Sequence, residues 1–313
     1  MRVLFMGTPV FAVSALEALL AAGHTVCGVV TREDKPKNRG MQMAFSPVKE
    51  AALQADLPVY QPTSLRDEAL LPLLSELAPA CIVVVAYGKI LPRYILDYPA
   101  FGCVNVHASI LPKYRGASPM QSALLHGEAE TGVTTMLMAD GIDTGDMLLF
   151  AKMPIADSDN LGTVHDTLAA LSGPLLIETL EGLAAGTIVP IKQDDTLATH
   201  APLIKKEDCR LHFNNPASVL FNQIRAFYPA PQAWFVRALK TIKVSASYVA
   251  DIATECLPGQ VVRADKSGIY VACSAGTVLC IIALKPEGKK EMTAAEFLNG
   301  NTLLVGEQLD GEH

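Results

Sequence analysis

The chain has 313 residues, of which 50% are hydrophobic and 18% are charged. This composition is typical of a folded protein and excludes an intrinsically disordered one. The net charge of −7 excludes a general polyanion binder. The length predicts two domains or one large one. We expect no membrane span, because no apolar run reaches the ~18 uninterrupted residues that one needs.

The cysteines give a further indication of the compartment. There are seven of them, an odd number, and no two form a Cys-x-x-Cys pair. Several lie inside apolar runs such as the one at 81–86. The sequence therefore predicts a reduced, cytoplasmic protein with buried thiols, without a disulfide framework or a bound metal.

The first half of the chain alternates apolar strands with helical stretches. Continuous Val and Ile runs bounded by helices predict a doubly wound α/β domain with a mostly parallel sheet. Strands are expected at 2–6, 25–31, 81–86, 103–108 and 134–139, and helices at 13–23 and 161–185. Ligands of such domains bind beyond the carboxyl ends of the strands. The turn at 7–9 follows the first strand but lacks the G-x-G-x-x-G pattern, so a tight turn is favoured over a dinucleotide site.

The second half changes character after residue 189. Residues 190–208 show no clear period and contain two prolines, which predicts a linker. A helix is expected at 217–227. Short strands follow it at 241–249, 259–265, 268–274 and 277–285. Their close spacing predicts a small β-barrel of the OB-like kind. We therefore divide the chain into 1–189, 190–208 and 209–313.

Asn105 and His107 lie near the carboxyl end of an expected strand. Because side chains alternate along a strand, the two share one face, roughly 7 Å apart. They either form hydrogen bonds within the core or face a reacting group. An amide and a protonated imidazole can both donate to one oxygen that gains negative charge, as acyl transfer requires.

A loop rich in aspartate and glycine follows the strand expected at 134–139. It contains Asp140, Asp143 and Asp146. The spacing does not fit a calcium-binding loop. The loop is either an ordinary turn or the source of a carboxylate that orients His107, and we favour such a carboxylate over metal binding.

Residues 32–49 are basic, with five cations against two acids. Flanking Pro and Gly predict no regular element there. The cations are Arg32, Lys35, Lys37, Arg39 and Lys49. The stretch is either a solvated loop or a flexible arm that meets phosphate groups.

These features together resemble the methionyl-tRNA formyltransferase family. The similarity extends to about residue 300. It rests on "FMGTPVFA" at 5–12, "VAYGKILP" at 85–92, "GCVNVHASILPKYRGASP" at 102–119, "ETGVTTMLMADGIDTGDML" at 130–148 and "IRAFYPAPQAW" at 224–234. The resemblance implies a Rossmann-like formyltransferase domain followed by a β-barrel that positions tRNA.

The resemblance also implies a reaction and its site residues. A formyl group passes from 10-formyltetrahydrofolate to the amino group of methionyl-initiator tRNA, for translation initiation. Asn105, His107 and Asp143 match the catalytic set of the wider formyltransferase group. The residues implied in folate binding are Ser109, Ile110, Leu111 and Pro112, together with Tyr87, Gly88, Ile90 and Leu91.

Partners follow from the same resemblance. Arg39 matches a basic residue of the family that recognises initiator tRNA, and Lys35 and Lys37 are expected beside it. The family's lysine pair after Arg39 is replaced here by Met41 and Gln42. We expect a cytoplasmic monomer. The alternatives are a glycinamide ribonucleotide or sugar-nucleotide formyltransferase, and a non-catalytic RNA-binding protein.

Overall fold

The computed structural model describes residues 1–37 and 42–309, and only the backbone of residues 35–37 and 42. The chain divides into two compact units. The first comprises Met1–Pro119, Glu130–Pro154 and His165–His200. The second comprises Met120–Ala129, Ile155–Val164 and Ala201–His313. The boundaries expected at 189 and 208 stay predictions.

Helices separate most of the strands in the first 185 residues. In chain order they are β1 (Arg2–Gly7), α1 (Phe11–Ala21), β2 (Thr25–Val30), β3 (Lys35–Lys37), β4 (Gln42–Ala44), α2 (Pro47–Gln54), β5 (Val59–Tyr60), α3 (Leu71–Leu77), β6 (Cys81–Val85), α4 (Arg93–Leu96), β7 (Cys103–His107), β8 (Arg115–Gly116), α5 (Pro119–Leu125), β9 (Glu130–Leu137), β10 (Met147–Pro154) and α6 (Leu161–Ala185).

The first unit is built on a seven-stranded sheet with the order β10-β9-β7-β6-β1-β2-β5. The pairs from β7 to β5 are parallel, whereas β9 runs antiparallel to both β7 and β10. Buried Val and Ile runs form the central strands because both faces of the sheet are covered. The predicted mostly parallel α/β fold is confirmed.

Helices cover both faces of this sheet. On one face, side chains of β1, β6 and β7 form a core with Leu74 of α3 and Ile95 of α4. On the other, Ser14 of α1 donates a hydrogen bond to the carbonyl of Ala169 in α6. By length and composition α6 could cross a membrane, a test that core helices of soluble proteins also pass. Thr179 of α6 is buried and hydrogen-bonded to Thr135 of β9.

One expectation for this unit is wrong. Residues 32–49 contain regular structure, because β3 pairs antiparallel with β4 and α2 begins at Pro47. The Ser46 side chain caps α2 by accepting from the Lys49 backbone N–H at 3.1 Å, and proline suits the first helical turn. Pro47 begins a helix here, so proline in this stretch does not exclude regular structure.

The second unit contains an antiparallel sheet with the order β12-β13-β16-β15-β14, to which β17 adds beside β16. Its elements are β11 (His200–Ala201), which begins in the first unit, then α7 (Ala217–Phe227), β12 (Ala233–Arg237), β13 (Lys240–Ala250), β14 (Val261–Asp265), β15 (Gly268–Ala272), β16 (Val278–Pro286), β17 (Met292–Thr293) and α8 (Ala294–Asn299). The predicted helix at 217–227 and the small antiparallel β domain are confirmed.

Candidate active site

The central strand β7 carries Asn105 and His107. Both are buried, with exposed fractions of 8% and 6%. They follow Cys103 at intervals of two residues, so they share its face of the sheet, the one covered by α3 and α4. Loops 86–92 and 108–114 leave the parallel strands β6 and β7 at the same edge of the sheet. His107, the last residue of β7, therefore lies at the carboxyl edge where ligands of this fold class bind.

Asp143 reaches this pair from a less obvious direction. Val104 lies opposite Leu137 and His107 opposite Thr134, so the antiparallel β9 ends beside the amino half of β7. The turn between β9 and β10 then folds back across the face of the sheet. Asp143 within it adopts a left-handed backbone with φ of 53°, which few residues other than Gly, Asn and Asp do readily.

The Asp143 carboxylate gathers three groups. Its Oδ2 accepts a hydrogen bond from the Gly116 backbone N–H at 2.9 Å and lies 3.5 Å from Nδ1 of His107. Its Oδ1 accepts from Nδ2 of Asn105 at 3.4 Å. The three predicted catalytic side chains thus converge in one place. The contacts to Asn105 and His107 are longer than typical hydrogen bonds, as is common in a catalytic cluster without substrate.

The second ring nitrogen of His107 also has a partner. Its Nε2 lies 2.9 Å from the carbonyl oxygen of Tyr114. Since a carbonyl oxygen only accepts, Nε2 donates its proton there. The ring is therefore held between a carbonyl and a carboxylate, which fixes its plane.

Gln193 is a site residue that the sequence did not reveal. Its side chain is 5% exposed, and Nε2 donates to the carbonyl oxygens of Asp143 at 2.8 Å and Gly145 at 2.7 Å. Its Oε1 accepts from Nε of the buried Arg115 at 3.0 Å. The guanidinium of Arg115 also pairs with the exposed Asp195 at 2.8 Å. We call Gln193 and Arg115 the clamp, because Gln193 binds the Asp143 turn and Arg115 binds Gln193. Gln193 lies in the segment expected to be a linker, and no motif marks it.

The predicted folate turn follows directly on His107. Ser109 Oγ donates to the carbonyl of Lys113 at 2.6 Å, which closes the turn. Thr134 of β9 fastens it, since its hydroxyl donates to the Ser109 carbonyl and accepts from the Leu111 N–H. Ile110 is partly buried, and the Pro112 carbonyl accepts from the Thr199 N–H at 3.4 Å.

The second predicted folate segment follows β6. Tyr87 is 1% exposed, and its hydroxyl has no hydrogen-bond partner among the described residues. Burial raises the pKa of Tyr87 to about 12. Leu91 belongs to the core, and the Gly88 carbonyl accepts from the Arg32 guanidinium. Ile90, by contrast, is 84% exposed.

Ile142 in the Asp143 turn is a second exposed isoleucine, 60% accessible. An ion pair of 2.6 Å joins Arg93, just after the Tyr87–Leu91 loop, to Asp140 in the same turn. The two loops are therefore neighbours, and each presents an uncovered apolar side chain beside polar groups.

The basic stretch 32–49 has fewer available cations than its composition indicates. Lys49 is mostly buried and paired with Asp34 at 2.5 Å, and its ammonium also donates to Gln61. Arg32 is committed to Gly88. Lys35 and Lys37 lie on β3. Arg39 lies outside the described residues, as do the replacements at Met41 and, for its side chain, Gln42.

Comparison with known protein families identifies a two-part formyl transferase. The formyl transferase family model matches residues 1–180, and its C-terminal domain model matches residues 203–302. The structure is similar to a sugar 3N-formyl transferase, WlaRD, with a TM-score of 0.66 at 17% identity, covering 93% of this chain and 99% of that one. At this identity the likeness concerns the fold.

Sequence relatives specify the family further. The chain is 45% identical to the methionyl-tRNA formyltransferase of Moorella thermoacetica over 309 residues, and 46% identical to that of Thiobacillus denitrificans over 310 residues. Each alignment covers 99% of both chains. The chain belongs to the methionyl-tRNA formyltransferase family.

Proposed function

We propose that this enzyme transfers the formyl group of 10-formyltetrahydrofolate to the α-amino group of methionyl-initiator tRNA. The observation that carries the proposal is the convergence of Asn105, His107 and Asp143 at the carboxyl edge of the sheet, in a chain nearly half identical to named methionyl-tRNA formyltransferases. Folate supplies the formyl carbon. The amine forms a new C–N bond to that carbon, and the bond from the carbon to the folate nitrogen breaks.

The side chains of the cluster divide this work. The Asn105 amide has two N–H groups and uses one on Asp143, so the other is available to the formyl oxygen as it gains negative charge. Asp143 accepts the proton that the attacking amine loses, directly or through water, and returns it to the departing folate nitrogen. Gly116 holds the carboxylate for this purpose.

His107 acts as the second donor to the same oxygen. Nε2 has one proton, which in this structure is donated to Tyr114. Donation to the formyl oxygen therefore requires one of two changes. Either Nε2 gives up the Tyr114 carbonyl and donates its proton to the formyl oxygen, or Nδ1 takes up the second proton of the ring and donates it. Both routes keep Nδ1 of the ring beside the Asp143 carboxylate.

The surroundings suit a folate. Its ring system needs flat apolar contacts and a few polar partners, and Ile90 and Ile142 offer uncovered apolar surface on adjacent loops. The Tyr87 hydroxyl, which has no hydrogen-bond partner among the described residues, is one such polar partner. Ser109, Ile110, Leu111 and Pro112 form the other wall of the proposed site, and Gly88 and Leu91 belong with Tyr87.

The acceptor and setting complete the proposal. Arg39, Lys35 and Lys37 contact phosphates of the initiator tRNA, and residues 209–313 position it, with 190–208 as a link to the formyl-transfer domain at 1–189. The enzyme acts as a cytoplasmic monomer without metal or membrane attachment.

An acceptor assay tests the activity. Purified enzyme is mixed with 10-formyltetrahydrofolate and, in separate reactions, methionyl-initiator tRNA, glycinamide ribonucleotide or an amino-sugar nucleotide. Formylation of the tRNA alone is expected. Transfer to either small amine in its place contradicts the proposal.

Variants test the residue roles. Asn105→Ala is expected to lower kcat about 10²–10³-fold because one oxyanion donor is lost, with tRNA affinity within about twofold of the wild type. His107→Ala is expected to lower kcat about 10²–10⁴-fold. Wild-type turnover in either variant contradicts its assignment.

A further inference from the structure

A cavity of about 530 Å³ in the second unit lies apart from the residues proposed for catalysis and folate binding. Its wall combines aliphatic and aromatic surface with several cations. It is lined by Lys206, Cys209, Pro231, Gln232, Trp234, Thr241, Lys243, Lys285, Pro286, Glu287 and Gly288. A volume of this size suits a small organic ligand.

Three of these side chains form a row across adjacent strands. Trp234 of β12 pairs directly with Lys243 of β13, which in turn pairs with Lys285 of β16. Their neighbours along each strand, such as Val244 and Leu284, are fully buried. Because side chains alternate, the row lies on the outward face of the sheet and points together into the cavity.

The row contains two lysines, Lys243 and Lys285, and no acidic residue. Like charges directly opposite one another on paired strands are destabilising. Lys243 donates to the Pro231 carbonyl at 2.9 Å, and no ion pair of Lys206, Lys243 or Lys285 occurs among the described residues. Three lysines and one glutamate line the cavity, a local balance of +2.

Trp234 supplies a different kind of contact beside this charge. Its indole N–H donates to the Lys206 carbonyl at 3.3 Å, which fixes the ring, and the Arg210 guanidinium lies 5.7 Å from the ring centroid. An aromatic ring stacks with any nucleobase, and such stacking contributes about 1–3 kcal/mol per base. Adjacent ammonium groups bind phosphate.

We propose that this cavity binds a nucleotide, with its base against Trp234 and its phosphate between Lys243 and Lys285. A free mononucleotide and one unpaired nucleotide of an RNA chain share this chemistry. The inference does not depend on formyl transfer, because none of these residues belongs to the proposed catalytic or folate site.

The chain carries its own probe for this site. Trp234 is the sole tryptophan of the 313 residues, so indole fluorescence reports on this cavity alone. We expect AMP to quench it saturably in the full-length enzyme without any formyl donor. Adenosine and inorganic phosphate are each expected to bind at least tenfold more weakly than AMP, because each makes only one of the two contacts.

Charge variants test the phosphate contact. Lys285→Gln is expected to weaken AMP binding about tenfold, as the loss of a charged hydrogen bond predicts. Lys266→Gln, an exposed lysine in the turn between β14 and β15, is the matched control and should bind AMP as the wild type does. Gln at either position leaves Trp234 and the fold in place.

The source of the nucleotide is decided by competition. Displacement of AMP by a short single-stranded RNA at lower concentration than AMP assigns the site to an RNA nucleotide, and the reverse order assigns it to a free nucleotide. The proposal is overturned if neither ligand quenches Trp234, if phosphate alone equals AMP, or if Lys285→Gln binds normally. Unchanged formylation alongside any of these results leaves the proposed function standing.

Discussion

Replacement of Gln193 by alanine tests whether the clamp positions the Asp143 carboxylate, which we propose to be catalytic. The variant removes two hydrogen bonds to the carbonyls of Asp143 and Gly145, and leaves Nε of Arg115 without its partner. At about 1–1.5 kcal/mol per net hydrogen bond, the turn loses roughly 2–3 kcal/mol of local stability. Since 1.4 kcal/mol is a factor of ten, kcat is expected to fall about 30- to 150-fold.

The assay is steady-state formylation with a double-mutant cycle. Gln193→Ala is measured in the wild type and in Asp143→Ala, and the KM for tRNA is followed beside kcat. A clamp that acts through Asp143 predicts a large loss in the first background and a loss under about threefold in the second. Asp195→Ala is the matched control, because it removes the exposed partner of Arg115 and leaves the three hydrogen bonds of the Gln193 side chain in place.

Equal losses in both backgrounds would refute this reasoning. They would show that Gln193 supports the unit as a whole and not the carboxylate. A thermal unfolding midpoint measured for all four proteins separates the two outcomes, because only general destabilisation lowers the midpoint in step with the rate.

Three further predictions concern the loop, the turn and the thiols. Arg39→Ala should reduce the slope of log kcat/KM for tRNA against log salt by about one, with the defect largest at low salt, whereas Lys49→Gln should leave the slope unchanged because that ammonium is already paired. Gly145→Ala should inactivate the enzyme, since a Cβ there would meet the Leu137 carbonyl oxygen 1.7 Å away, while Gly300→Ala, with open space around it, should have normal activity. A thiol reagent at pH 8 should label Cys256 rapidly and the other six cysteines slowly, because those six are buried. Burial also raises the pKa of thiols such as Cys81 to about 12. Rapid labelling of several cysteines per chain would contradict the described packing.

Local patterns predicted the elements whose signals are local. The helix expected at 161–185 is α6 at the same bounds, followed by Gly186 in a left-handed conformation. The alternation of β7 placed Asn105 and His107 on one face correctly. These features depend on periodicity and on single residues, which a sequence displays directly.

The parts that a sequence does not display depend on pairings between distant residues. Nothing in residues 130–154 distinguishes an antiparallel hairpin from a parallel strand, so the direction from which Asp143 arrives was not foreseen. Gln193 of the clamp contacts Asp143, which lies 50 residues earlier in the chain. The sequence alone does not distinguish Lys49 from an exposed cation, because its pairing with Asp34 is a tertiary contact. Each is a tertiary contact that overrides local preference.

The clamp has a consequence for how far the catalytic part can be shortened. All seven strands of the main sheet end by Pro154 and the last covering helix ends at Ala185, yet the glutamine that holds the turn comes eight residues later. A fragment that ends after α6 would keep the sheet and the pair formed by Asn105 and His107. It would lose Gln193, which holds the turn that carries Asp143. The smallest autonomous transferase should therefore extend past Thr199, whose backbone closes the loop behind His107.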